Sequence, residues 1–294
     1  MLQMLLGITR HPLNRGRAVD ALLRFAAWQI GTRLIRGSVA VPFAGDTRLL
    51  VKRGMAGATG NVYCGLHEFE DMAFVAHALR SDELFVDVGA NIGSYTVLAA
   101  GVANARCLSV EPVPSTFRYL LDNVRLNDLS GRVVCHNVAL GREHGELRFT
   151  AQYDTMNHAL EADAAGGDSI AVPVVTLDSL LADQAPAVIK IDVEGFEAAV
   201  IAGGQRTLHS HSLLAVLAEL NGSGKRYGFN DEDVDREIRA AGFTSACYDP
   251  MTRTLREQPE QPRTGMNVLY VRRIPELQAR LAASAPIEVL GGHV

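Results

Sequence analysis

The stretch Phe85-Val86-Asp87-Val88-Gly89-Ala90-Asn91-Ile92-Gly93-Ser94-Tyr95 limits what this chain can fold into more than any other. It reads as an apolar strand that ends in an acid and breaks into a glycine turn, with a helix behind it. A backbone forced into such a turn at a strand's carboxyl end makes the crevice where an open α/β sheet binds its ligand.

The phosphate-binding pattern G-x-G-x-x-G does not fit this turn. With Gly89 as the first glycine, Asn91 stands where the second lets a pyrophosphate approach, and Ser94 where the third lets the helix pack closely. The pattern is instead Asp-x-Gly-x-Asn-x-Gly, and the carboxylate of Asp87 repels phosphate but attracts a cation. S-adenosylmethionine meets that requirement, with an ammonium, a sulfonium and no phosphate. Cys107-Leu108-Ser109-Val110-Glu111 is a second apolar run ending in an acid, 24 positions beyond Asp87. In a βαβ unit that spacing sets Glu111 at the end of the neighbouring strand, where an acid accepts hydrogen bonds from ribose hydroxyls. NAD and S-adenosylmethionine both carry such a ribose. The plainer alternative is that both acids only cap turns or helices.

At 294 residues, 48% hydrophobic and 21% charged, the chain suits one large α/β domain with an appendage. It has no run of about 18 apolar residues, so no membrane span is expected. Met1 to Ile8 is apolar, but no basic residue precedes it and Arg10-His11-Pro12 follows, so it does not read as a signal peptide. Cys64, Cys107, Cys135 and Cys247 are widely spaced and form no zinc or redox motif; they read as buried thiols of a reducing, cytoplasmic setting. Residues 1–53 hold nine Lys/Arg against Asp20 and Asp46, leaving 19 basic and 31 acidic residues elsewhere. That asymmetry allows the amino-terminal part to contact an anionic surface peripherally, although a solvated helix face is the plainer explanation.

Val19, Leu22, Leu23, Ala26 and Ile30 recur at helical spacing, which predicts an amphipathic helix over 17–36, packed on the main domain or on a second copy in a homodimer. Residues 39–64 read as short strands joined by glycine turns, followed by a helix over 68–80. Regular alternation then begins: strand 84–88, helix 94–103, strand 107–111, helix 115–126, strand 133–138. It implies a parallel sheet with helices on both faces. Extra β segments at 145–150 and 170–176 precede a fourth buried strand, Val188 to Asp192, and a fifth, Leu213 to Leu220. Asn230 caps the next helix, with Asp231, Glu232 and Asp233 at its positive end and Gly242 ending it. Strands at 243–249 and 266–271, joined by a proline-bearing loop, complete a terminal hairpin of the kind expected in a class I methyltransferase.

The chain resembles the FkbM family of S-adenosylmethionine-dependent methyltransferases. The resemblance rests on Phe85 to Gly93, Glu111-Pro112, Val174-Val175-Thr176-Leu177-Asp178-Ser179-Leu180 and Ile189-Lys190-Ile191-Asp192-Val193-Glu194-Gly195-Phe196-Glu197, and covers about residues 65 to 220. It implies an α/β fold: a Rossmann-like, seven-stranded, mostly parallel sheet with helices on both faces. It also implies methyl transfer to a hydroxyl, usually of a sugar, glycan or polyketide-type metabolite. By motif position, Asp87, Gly89 and Asn91 would line the methionine part of the cofactor, Glu111 the ribose and Asn137-Val138-Ala139 the loop near adenine, with Gly93, Ser94, Pro112 and Asp192 as further cofactor contacts. The division expected is an appendage over 1–64, the methyltransferase domain over 65–272 and a tail over 273–294.

Methyl transfer is an in-line displacement in which the cofactor carries the reactivity, and the protein aligns the acceptor and removes its proton. A weakly acidic hydroxyl calls for a general base or a divalent metal. Asp192 and Glu194, with Lys190 one pleat earlier, all turn toward the crevice if the chain stays extended. Either acid could be the base, or both could hold Mg²⁺ with Glu219 as a third oxygen ligand; alternatively a Lys190–Glu194 ion pair only orders the loop. His158, in the polar cluster Tyr153-Asp154-Thr155-Met156-Asn157-His158, is another candidate base. Two other functions compete: an NAD-linked sugar oxidoreductase or epimerase, and a non-enzymatic scaffold at a membrane surface. Nucleic acid is not an expected substrate, because the chain around these motifs is acidic and no Asp-Pro-Pro-Tyr type motif is present.

Overall fold

The computed structural model describes residues 1–35, 37–150, 169–258 and 266–294. Helices α1 (Leu2–Arg10) and α2 (Ala18–Leu34) come first, then an antiparallel hairpin of β1 (Val39–Pro42) and β2 (Arg48–Val51). Helices α3 (Ala56–Cys64) and α4 (Phe69–Ala78) lead to β3 (Leu84–Val88), α5 (Ser94–Val97), a π turn over Leu98–Val102 and β4 (Arg106–Val110). Helix α6 (Pro114–Leu126) and β5 (Val133–His136) follow. Strands β6 (Ala139–Leu140), β7 (Gly145–Thr150) and β8 (Ser169–Val175) form a small separate sheet. The chain returns through α7 (Leu177–Leu181), β9 (Pro186–Ile191), α8 (Glu197–Ala202), α9 (Gln205–Leu208), β10 (Ala215–Leu220) and α10 (Asp231–Ala240). Strands β11 (Thr244–Asp249), β12 (Thr254–Glu257) and β13 (Met266–Val271) precede α11 (Ile274–Ala282) and a short hairpin of β14 (Glu288–Val289) and β15 (Gly292–His293).

The main sheet is ordered β12-β11-β13-β10-β9-β3-β4-β5. From β10 to β5 every pairing is parallel, while β13 inserts antiparallel between β10 and β11. This is the class I methyltransferase arrangement, with one strand more than the seven expected, because β12 folds back on β11 from within the predicted loop. Connectivity reverses between β3 and β9, so the carboxyl ends of these two strands flank the switch-point crevice.

Alternation along the strands divides the core. Leu84, Val86 and Val88 of β3 join Ile189 and Ile191 of β9 on one face, packed under α7, α8 and α10. Phe85 and Val188 face the other side with α4 and α5. Asp87 and Lys190, which are cross-strand neighbours, fall on this second face, where they meet in an otherwise apolar layer.

Three expectations are corrected. Part of 39–64, read as strand, is the helix α3; its Gly57, Gly60, Thr59 and Val62 are poor helix formers, and tertiary packing overrides them. Helix α2 packs on the domain through Ala21, Phe25 and Trp28, and the Val19, Leu22, Leu23, Ala26, Ile30 stripe is exposed, which corrects the first of its two expected packings and leaves the second, on another copy, untouched. The aromatic rings bury more area than the aliphatic stripe could. Cys247 is exposed, and Cys135 is half-buried, whereas Cys64 and Cys107 are buried as expected.

Candidate functional site

The turn after β3 is held by neighbouring backbone. Gly89 and Ala90 both donate their N–H to Val110 O, and Asp192 N donates to Val88 O. Gly89, at φ 77°, leaves no room for a side chain: a Cβ there would lie 1.8 Å from Asp192 O. The absent side chain thus serves contact between two loops. At Gly93 the φ is 92°, and a Cβ would meet Leu120 Cδ1 at 2.6 Å, so this glycine lets α5 pack on α6.

Two cavities open from this turn and share Gly89, Asn91 and Asp192. The first encloses about 770 Å³, mouth included, and is lined by Glu111, Pro112, Val138, Ala139, Leu140, Phe149 and Phe196 among others. The second lies on the α4 face and is lined by Asn61, Glu68, Asp87, Ser94, Tyr95 and Lys190. Asn137 lines neither; its Nδ2 donates to Glu111 O at 2.8 Å and Pro112 O at 2.9 Å, fixing the loop that carries them.

Glu111 sits one residue past β4, buried, with Oε2 accepting from Asn91 N at 3.0 Å and Oε1 from Val113 N at 2.9 Å. Burial pushes its pKa up to about 7 despite these two bonds. Each oxygen keeps a lone pair for a further donor. Asp87 is buried as well. Its Oδ2 accepts from Thr96 Oγ1 at 2.6 Å, but its Oδ1 has no hydrogen-bond partner. Burial raises its pKa, opposed by the Lys190 charge and the Thr96 hydroxyl.

Lys190 Nζ donates to Asp192 Oδ2 at 2.7 Å and lies 4.8 Å from the centre of the Tyr95 ring. Burial would lower its pKa, but the carboxylates of Asp192, Glu68 and Asp87 outweigh that and hold it above the ordinary lysine value. Asp192, and not Glu194, is therefore the ion-pair partner of Lys190. The chain does not stay extended past β9, because Glu194 takes φ 53°. Asp192, Glu194 and Glu219 nevertheless converge, one oxygen of each lying within 4.8 Å of the others. Oε2 of Glu219 is buried and receives no hydrogen bond from a donor, while the Glu219 carboxyl lies against that of Asp192. Burial, followed by the charges of Asp192 and Glu194, drives the Glu219 pKa up to about 8.

Several members of the site carry no role in the sequence reading. Glu197 Oε1 accepts from Val193 N and Gly195 N and so shapes the loop holding Asp192. Tyr95 Oη donates to Glu68 Oε2 at 2.8 Å, and Asn61 Nδ2 to Ser94 Oγ at 3.2 Å. Glu197 lies inside a quoted motif; Glu68 and Asn61 precede the first motif and give no signal. His158 falls outside the described residues.

The sheet order and a switch-point crevice with an acid at the end of each of three parallel strands define a class I methyltransferase. Residues 87–245, more than half of the chain, match the Methyltransferase FkbM domain, and the chain belongs to the FkbM family of S-adenosylmethionine-dependent methyltransferases. It is 28% identical over 140 residues to the hexuronic acid methyltransferase AglP of Haloferax volcanii, covering 47% of this chain and 56% of that protein. It is 33% identical over 64 residues to the tRNA(Phe) (4-demethylwyosine(37)-C(7)) aminocarboxypropyltransferase of Pyrococcus horikoshii, covering 22% and 23%. The chain thus spans about half of the first relative and under a quarter of the second. A precorrin-6Y C5,15-methyltransferase of Geobacter metallireducens is a distant structural likeness, with TM-score 0.40, 13% identity and coverage of 70% and 90%. Family membership displaces the dinucleotide oxidoreductase reading. No helix among the described residues is long and apolar enough to cross a membrane.

Proposed function

We propose that the protein is an O-methyltransferase that binds S-adenosylmethionine across the two cavities and methylates a hydroxyl of a carbohydrate or a small secondary metabolite. The observation that carries this reading is the orphaned Oδ1 of Asp87, a buried carboxylate oxygen at the cavity wall awaiting a donor. An ammonium group supplies that donor and its charge together. In this reading Glu111 accepts from the ribose hydroxyls, and Val138, Leu140, Phe149 and Phe196 offer apolar wall for a flat base. The bound cofactor supplies an electrophilic methyl group.

The chain's own task is to deprotonate the acceptor. Asp192 Oδ2 is engaged by Lys190, whereas Glu219 has an oxygen that receives no donor, beside both Asp192 and Glu194. Glu219 is our choice of general base, with Asp192 and Glu194 accepting hydrogen bonds from other hydroxyls of the acceptor. The three converging carboxylate oxygens also favour a second reading, in which they hold Mg²⁺ and the metal lowers the acceptor's pKa. The hexuronic acid methyltransferase relative supports a sugar acceptor.

Calorimetric titration with S-adenosylmethionine tests the cofactor, with micromolar binding expected and no binding overturning the proposal. Methyl transfer from labelled cofactor to a panel of uronic acids and glycosides tests the acceptor. Activity that survives exhaustive chelation selects the Glu219 base over the metal.

A further inference from the structure

Exposed apolar surface is concentrated in the first 35 residues. Among the described residues thirteen large apolar side chains are strongly exposed, and ten of them are Met1, Leu2, Met4 and Leu6 together with Val19, Leu22, Leu23, Ile30, Leu34 and Ile35. Val19 is 71% exposed, Leu23 63%, Ile30 61% and Leu34 79%, values expected of surface lysines and not of aliphatic residues. On α2 these positions form a single stripe at helical spacing, opposite the buried Ala21 and Trp28. The helix therefore carries two apolar faces, and the protein covers only one.

We infer that α1 and the outer face of α2 form a docking surface for an anionic lipid bilayer, seating the enzyme on a membrane without crossing it. Arg10, Arg15 and Arg33 are exposed in the same segment, while Arg17 is held by Leu290 O and by Asp20, the one acid there. Apolar side chains inserted among acyl chains with guanidinium groups at headgroup level is the combination that holds an interfacial helix. A second copy of the chain fits less well. A two-fold contact sets a patch against itself, and here that brings the exposed arginines of one copy toward those of the other.

Two further features agree. Ile35 belongs both to this surface and to an apolar groove lined by Trp28, Gly31, Val39 and Val62, which extends the apolar area beyond the helix. Helix α2 rests on α3 through the Phe25–Tyr63 ring contact, 5.2 Å between centroids, and Asn61 of α3 lines the cavity beside Asp87. The inference does not depend on which acceptor is methylated.

Flotation of the full chain with phosphatidylcholine vesicles, and with vesicles also containing phosphatidylglycerol, tests it. The wild type should float with the anionic vesicles only and be released at high salt. The double variant Leu23→Glu/Ile30→Glu should lose at least about tenfold in bound fraction, since charge at the apolar face opposes insertion. Arg10→Glu/Arg33→Glu should also weaken binding, and melting curves matching the wild type should show that both variants fold. Wild-type protein that stays with neither vesicle, or Leu23→Glu/Ile30→Glu floating as well as wild type, overturns the inference. So does a lipid-free dimer, seen by analytical ultracentrifugation, that this variant dissociates while no form floats: the face would then join two copies of the chain.

Discussion

Lys190 Nζ and Asp192 Oδ2 lie 2.7 Å apart, and this ion pair ties the carboxyl end of β9 to the loop that follows it at the switch point. Asp87 is the register partner of Lys190 on β3, so one buried ammonium serves two carboxylates that would otherwise repel each other. Lys190→Met leaves both without a counter-charge. Loss of a partner from a buried pair costs about 3–5 kcal/mol, and chemical denaturation should show a fall of that order. A variant as stable as the wild type would mean that solvent, not Lys190, neutralises these acids.

Asp87→Asn keeps an acceptor for Thr96 Oγ1 but removes the charge offered by the orphaned Oδ1. A charge-assisted hydrogen bond contributes about 1.5–3 kcal/mol, so cofactor affinity should fall roughly ten- to a hundredfold by calorimetry while the fold persists. Undiminished affinity would remove Asp87 from the cofactor site.

Glu219→Gln separates binding from chemistry. With Glu219 as base, kcat should drop about a hundred- to ten-thousandfold with cofactor affinity little changed. Wild-type activity should climb with pH toward about 8, where Glu219 gives up its proton, and the variant should lack that limb. A pH profile shared by both proteins would point to another base.

Stability without cofactor should decline as pH rises from about 4 to about 7 and then level off. Burial raises Asp71 to about 6, and Glu111 and Glu197 to about 7, above their ordinary values of 3.8 and 4.5. The folded chain then keeps protons that the unfolded chain releases. The resulting stabilisation is complete below the unfolded pKa and is lost as pH passes through the folded one. Melting temperatures recorded across this range check the sign; a rise would contradict it.

Gly89→Ala should be far more damaging than a typical glycine replacement. The added carbon would need the space of Asp192 O, 1.8 Å away, at a positive φ, and only moving one loop relieves it. A loss of more than about 4 kcal/mol, or failure to fold, is expected, against roughly 1 kcal/mol for a mean substitution. Normal melting and cofactor binding would show that the two loops are free to part.

The parallel core of the sheet was legible because β3, β4, β9 and β10 are continuous apolar runs and the chain between them has helical period. The cap of α10 was equally legible: Asn230 Oδ1 accepts from Asp233 N at 2.7 Å, as its position before three acids implies. Helix α3 and strand β12 were not, since their local preferences are weak and long-range packing selects their conformation. The role of Asn137 escaped as well, because a side chain that braces a loop through backbone carbonyls leaves no pattern in sequence.

Sequence alone determined that an acid ends each of three neighbouring strands and that a glycine turn breaks the chain after β3, because strand period and local backbone preference act over a few residues. Which acid pairs with Lys190, which carboxyl is left without a partner and which face of α2 meets solvent were decided only by tertiary structure. Those outcomes depend on burial and on charges brought together from distant parts of the chain. Desolvation and Coulomb energies are set by distance in space, which sequence separation does not supply.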